Sequence, residues 1–423
     1  MNKKIGNLFK GDKVIWMVFF FLCMISIVEV FSASSNLTYK TQNYMGPIIY
    51  YTAMIIVGVA VAVVTLNIPC RYFKLLTPFL LVISALTLLW VLVGGESING
   101  ANRVISLAGF TFQPSEIAKG TMVLVTAQIL SAMQRETGAD RKAIKYILMI
   151  LVPTTFLIGI ENLSTAALLF AVIVLMMFIG RVPMSQMGKL MGFIGVLGAL
   201  FLVAVFTLGS IESDETEEAK LTETVVDGDH IDANETSIKS HGIFHRFTTQ
   251  RNRILKFVQK QEVAPENYDI EENFQVGHAN IAIASSGIIG KGPGNSLERD
   301  YLPQAFSDFI YAIIIEETGI IGAAVVAFLY IVLLYRAARI ASRCENNFPA
   351  FLIMGLSLLL VIQATFNMMV AVGLAPVTGQ PLPLVSKGGT STIINCAYIG
   401  VILSVSRSAK LKKEVKEYKS MES

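Results

Sequence analysis

The sequence predicts an all-α, polytopic membrane protein with about ten transmembrane helices, and three observations carry that prediction. Of the 423 residues, 53% are hydrophobic and 15% are charged, where soluble domains carry roughly a quarter. Mean hydropathy is +0.60. The apolar residues fall in runs of about 20, the helix length that crosses a ~30 Å hydrocarbon core; a β-barrel would alternate over segments of about 10.

The runs can be taken in order. A basic start (Lys3, Lys4, Lys10, Lys13) precedes a first span near 14–33, which shows no small-residue cleavage site and reads as retained. The second span runs from Pro47 to about Leu66, and the third covers roughly 75–93. A Gly-rich loop, 94–113, leads to Pro114, which suits the first turn of a fourth helix because its missing N–H costs nothing there. The fifth and sixth spans lie between Tyr146 and Ile179 and meet near Glu161–Thr165. The seventh covers about 190–210. Residues 211–305 form one large polar region, acidic at first (Glu212, Asp214, Glu215, Glu217, Glu218), which suggests a solvated, mobile segment. Further on, Ile243–Lys260 mixes Phe, Ile and Leu with Arg and Lys, which fits an amphipathic helix either on an anionic surface or packed on the protein.

The run from Ala305 to Tyr335 is too long for one untilted span. It is expected to comprise a short helix from about Ser307, a break near Gly319 and an eighth span. A ninth span near 350–372, a Pro/Gly-rich loop at 373–390 and a tenth span near 391–406 complete the chain, which ends in a basic tail. Lys and Arg concentrate in the termini and alternate loops, so both termini are expected in the cytoplasm. The polar region 211–305 then becomes one large extracytoplasmic loop region within a single membrane domain, 1–423, and shares the outer face with loops 94–113 and 373–390.

The net charge of +3 gives no case for nucleic acid. Cys23, Cys70, Cys344 and Cys396 all lie outside the polar region, so no disulfide framework is indicated. His230, His241, His245 and His278 fit no metal spacing and read as solvated. No P-loop, dinucleotide fingerprint, zinc pattern or nucleophile elbow occurs.

Ionisable residues at membrane depth are expensive and mark functional sites. Asp308, between Phe306 and Phe309, is the foremost candidate. Glu316 and Glu317 are expected as supports, or as first-turn carboxylates favoured by a helix dipole. Glu116 and Lys119, three apart on one helix face, are either a buried ion pair or part of a polar cavity. Arg103 is a loop cation, solvated or functional, and Lys387 stands beside Gly388 and Gly389.

These segments also resemble one family. Asn99-Gly100-Ala101-Asn102-Arg103 with Phe112-Gln113-Pro114-Ser115-Glu116 and Lys119 is similar to a signature of the SEDS proteins (shape, elongation, division and sporulation). So are Leu302-Pro303 with Ser307-Asp308-Phe309-Ile310 and Glu316-Glu317-Gly319, and Gly373-Leu374 through Ser386, Gly388-Gly389-Thr390-Ser391. The order of the signatures and the ten-span plan agree with that family, and its division member is the most similar, ahead of its elongation member. Val104 stands where the family pattern has Trp, and Asn162 where it has Asp; the acidic segment 212–235 is an addition.

The resemblance implies a peptidoglycan glycosyltransferase that polymerises lipid II on the outer leaflet of the cytoplasmic membrane, at the division septum. Its implied partners are a class B penicillin-binding protein and other division proteins. It makes Asp308 the key acid, with Arg103, Glu116, Lys119, Ser386, Lys387, Gly388 and Gly389 as candidate substrate-binding residues. One carboxylate can take the proton of the acceptor hydroxyl, while cations or a divalent metal (Mg or Mn) stabilise the leaving pyrophosphate. A lipid II flippase and a non-catalytic division scaffold are the alternatives.

Overall fold

A computed structural model of the chain describes residues 10–33, 46–94, 96–98, 101–107, 110–223, 251, 274–302 and 305–422. The described helices are α1 (Lys13–Ala33), α2 (Gly46–Asn67), α3 (Cys70–Gly94), α4 (Pro114–Ala132), α5 (Ala143–Glu161), α6 (Leu163–Ile179), α7 (Met184–Glu223), α8 (Phe274–Ser286), α9 (Ile310–Ala341), α10 (Asn347–Ala371) and α11 (Thr390–Glu422). Among the described residues, seven of these are long and apolar enough to cross a membrane; Leu163–Ile179 and Met184–Leu200 are shorter apolar helices. With α4, whose first turns carry Glu116 and Lys119, they correspond to the ten expected spans. The protein is a multi-pass membrane protein built mainly of helices.

The chain forms two compact units. The larger comprises residues up to Pro183, Ile270–Leu374 and Thr378 onward; the smaller comprises Met184–Asp269 and Ala375–Val377. In the smaller unit, α7 continues as helix through the acidic run to Glu223, where a mobile segment was expected. The remainder of that segment, His230, His241 and His245, and the basic amphipathic stretch apart from Arg251 lie outside the described residues.

In the larger unit, local chemistry sets the boundaries. Pro114 opens α4, as its missing N–H predicts. Asn162 caps α6, its side-chain oxygen accepting from Ser164 N (3.1 Å) and Thr165 N (3.2 Å). The Gly-rich segment expected as loop instead carries three short antiparallel strands, β1 (Glu96–Ile98), β2 (Ala101–Leu107) and β3 (Phe110–Phe112), with Ile105 opposite Phe112. Hairpin pairing satisfies backbone groups that a bare loop would leave to solvent.

The break at Gly319 is where the sequence places it, though the helix starts at Ile310 and runs on to Ala341. Gly319 has φ 70° and ψ −172°. A Cβ there would meet Ile288 O at 2.2 Å, and one on Gly290 would meet Glu317 O at 2.3 Å. The two glycines let the strand of loop after α8 press onto the broken helix. There Lys291 N and Gly292 N donate to the otherwise open carbonyls of Glu316 (2.9 Å) and Glu317 (2.8 Å).

At one end of this unit, Asp12 caps α1 through Val14 N (3.0 Å) and accepts from Arg336 Nε (2.8 Å) and Nη2 (2.7 Å). Burial works against the Asp12 carboxylate, but Arg336 and the cap outweigh it and hold the carboxyl below its usual range. The unusual polar residues gather at the opposite end.

Candidate active site

Asp308 lies in the turn Ala305–Phe309 that leads into α9, 8% exposed. Three successive main-chain carbonyls of this turn are held by side chains and backbone from elsewhere. Lys387 N donates to Phe306 O at 2.9 Å. Ser386 Oγ donates to Ser307 O at 2.5 Å, and Asn367 Nδ2 donates to Asp308 O at 2.8 Å. The candidate acid is thereby fixed to α10 and to the loop before α11.

That loop is itself bound at nearly every carbonyl. Pro381 and Pro383 remove two N–H groups, so Gln380–Val385 presents more acceptors than donors, and its partners are side-chain donors. Asn367 Nδ2 serves Gln380 O (2.7 Å) and Gln363 Nε2 serves Pro381 O (3.1 Å). The Tyr330 hydroxyl serves Pro383 O, and Ser26 Oγ serves Val385 O (2.6 Å). Leu384, with φ 67°, is held in the left-handed region between those last two anchors, at a cost of roughly 1 kcal/mol. Irregular backbone at this depth persists only where protein satisfies it.

Of the two readings open for Glu116 and Lys119, the structure shows the buried ion pair, 2.8 Å apart and 1% and 0% exposed. Lys119 Nζ also donates to Gln363 Oε1 at 2.7 Å. Glu116 sits in the first turn of α4, where the dipole favours an anion. Its Oε2 has no hydrogen-bond partner among the described residues. Gln363 joins this pair to Pro381, and so to the loop that holds Asp308.

Lys387 is half-buried; its ammonium lies 4.9 Å from the Phe306 ring centroid, and among the described residues no carboxylate pairs with it. Burial lowers its pKa below the ordinary lysine value. Ser386, read from sequence as substrate-binding, has its hydroxyl engaged by Ser307 O and by Leu382 N (2.7 Å). Gly388 and Gly389 lead into α11; a Cβ on Gly388 would meet Ser391 Oγ at 2.0 Å. Arg103 lies in β2, and its side chain is outside the described residues.

Glu316 and Glu317, read as supports or first-turn acids, do not lie in the first turn of α9. They end the first segment of α9, just before the break, where the helix dipole disfavours anions. Loop donors compensate. Glu316 accepts from Lys291 Nζ (2.6 Å), Leu297 N (3.1 Å) and the Ser296 hydroxyl. Glu317 accepts from Gly294 N (2.9 Å) and the Ser32 hydroxyl, with Arg299 Nη1 4.0 Å away. His278, read as solvated, bonds Glu298 Oε2 at 2.6 Å and stacks on Tyr301, because α8 folds against this loop.

Sequence reasoning missed Asn367, Gln363, Gln380 and Thr165, whose hydroxyl accepts from Gln380 Nε2 at 2.6 Å. Two amides four apart in an apolar helix were the available signal. Among the described residues, no three His, Cys, Asp or Glu side chains come together as a metal site.

Comparison with known proteins agrees with this architecture. The probable peptidoglycan glycosyltransferase FtsW of Coxiella burnetii is 26% identical over 400 residues, covering 92% of this chain and 95% of its own. The peptidoglycan glycosyltransferase MrdB of Escherichia coli K12 is 26% identical over 402 residues, covering 95% and 94%. A solved chain described under "Structural coordination of polymerization and crosslinking by a peptidoglycan synthase complex" shares the fold, with a TM-score of 0.66 at 23% identity over 94% of this chain and 98% of that one. The cell cycle protein family FtsW/RodA/SpoVE matches residues 12–411, and the chain belongs to that family.

Proposed function

We propose that the chain is a peptidoglycan glycosyltransferase that polymerises lipid II, with Asp308 as the general base. The observation that carries this reading is the clamp on residues 306–308, which sets a buried acid beside Lys387 in one loop cluster. In the reaction, Asp308 takes the proton of the acceptor sugar hydroxyl as that oxygen bonds to the anomeric carbon of the donor. The bond from that carbon to the pyrophosphate oxygen breaks, and the lipid pyrophosphate leaves with the electron pair. Lys387 offsets its charge. Lys119 already serves Glu116 and Gln363, which favours Lys387 for this role.

The distribution of Lys and Arg supports placing this end on the outer leaflet with both termini in the cytoplasm. The string Pro376–Ser391 favours the division member of the family, acting at the septum with a class B penicillin-binding protein. Depletion giving filaments supports division; rounding of the cells supports elongation. A flippase would need charged groups through the membrane depth, whereas the buried charged side chains Glu116, Lys119, Asp308, Glu316 and Glu317 lie near helix ends or breaks.

The test is lipid II polymerisation by the purified protein, with and without a class B partner. Asp308→Ala is expected to abolish glycan strands while the protein folds normally. Wild-type polymer from that variant would sink the assignment and favour the scaffold reading.

A further inference from the structure

We propose that Asn367 is a positioning residue for this reaction: its side-chain amide locks the Asp308 turn to the Gln380–Lys387 loop, so that base and leaving-group cation are held in one register. The inference rests on the reading above, in which Asp308 takes the proton.

Asn367 lies on α10, 1% exposed, four residues after Gln363 in a helix rich in Leu, Ile, Met and Phe. Its Nδ2 donates to Asp308 O at 2.8 Å and to Gln380 O at 2.7 Å. Both partners are carbonyl oxygens, which only accept, so the amide nitrogen must face them and the orientation is unambiguous. The NH₂ group has two hydrogens, and each is spent on a different segment. No hydrophobic residue of the same shape could join two acceptors, and neither carbonyl belongs to a helix or strand that would otherwise satisfy it.

Tyr330 reaches Pro383 O without touching the Asp308 turn. Asn367 bonds the carbonyl of Asp308 itself and that of Gln380, beside the ties that Ser386 and Lys387 make to Ser307 O and Phe306 O. Its Oδ1 has no partner among the described residues, so the residue is retained at a polar cost that core packing does not require. Misplacing a reacting group by about 1 Å costs on the order of 100-fold in rate, which sets the scale expected for releasing this tie.

The experiment measures lipid II polymerisation by the purified full-length protein as Asn367→Leu, beside Tyr330→Phe and Asp308→Ala. Asn367→Leu keeps the side chain's size and removes both donors. Its kcat is expected to fall on the order of 10- to 100-fold, with KM within about two-fold of wild type. Tyr330→Phe, which loosens the same loop only, is expected to keep kcat within about three-fold of wild type. If Asn367→Leu does not fold, Asn367→Ser retains one donor and is expected to lose kcat to a lesser degree. Wild-type kcat in the folded Asn367 variant, or an equal loss in Tyr330→Phe, overturns the inference while an inactive Asp308→Ala leaves the base assignment standing. An active Asp308→Ala removes the base assignment itself.

Discussion

Two buried acidic sites in one stretch of chain are held in opposite ways. At Glu316 and Glu317, loop donors converge on the carboxylate oxygens: an ammonium, hydroxyls and main-chain N–H groups. At Asp308, the donors from Asn367, Ser386 and Lys387 go to the main-chain carbonyls of residues 306–308. The first arrangement uses charge to fasten a loop across a broken helix. The second fixes where an acid stands by gripping its backbone.

The sharpest way to break this contrast is to substitute both sites and measure rate and stability separately. Asp308→Asn should cost about 10²- to 10⁴-fold in polymerisation, the usual worth of a general base, with little change in thermal unfolding. Lys291→Met should do the reverse. It takes the ammonium from a 0%-exposed Glu316 that keeps Ser296 and Leu297 as donors, and losing one hydrogen bond to a charged group costs roughly 1.5–3 kcal/mol, read as a fall in unfolding temperature. Equal stability loss in both variants would erase the distinction. Gly319→Ala should destabilise by at least about 2 kcal/mol, since it adds left-handed strain to a clash with Ile288 O.

A smaller effect tests the cation. Lys387→Met should raise KM for lipid II about 10-fold, the scale of one hydrogen bond to a charged group. Burial lowers the Lys387 pKa, so KM in the wild type should climb as pH rises through that lowered value, before an ordinary lysine would titrate. Lys387→Arg, which stays protonated, should flatten the dependence. The stability sign is opposite: burying this charge costs stability below the lowered pKa, and the cost is relieved as pH rises through it.

The weakest effect belongs to the far end. Arg336→Met should cost about 1–2 kcal/mol through the lost Asp12 bonds. Because the Asp12 pKa is lowered, that contribution is complete above the usual carboxylate range and fades as pH falls through the lowered value. Asp12→Asn should remove the acid-side fall; if the fall persists, other carboxylates govern it.

Much of this was legible in the sequence because it is local or periodic. Runs of apolar residues as long as the bilayer is thick give the spans. Pro114, Asn162 and Gly319 mark boundaries through backbone geometry that each residue carries with it. The Glu116–Lys119 pair follows from helical spacing of three. Asp308 stands out because an acid between two phenylalanines has no neighbour in sequence to satisfy it. The strands at 96–112 were hidden because short pairing depends on partners brought together by the hairpin. The place of Glu316 and Glu317 relative to the break was misread because their compensating donors lie 18 to 25 residues earlier, and, for Ser32, 285 residues away.

The sequence alone determined a multi-pass helical protein, its family resemblance and the candidate acid, Asp308. Only the tertiary structure decided how that acid is held: Asn367 lies 59 residues from Asp308, and Ser386 lies 79 residues from Ser307. No period or spacing encodes such a meeting. It exists because proline-rich backbone, buried among the helices, must find side-chain donors wherever those helices present them.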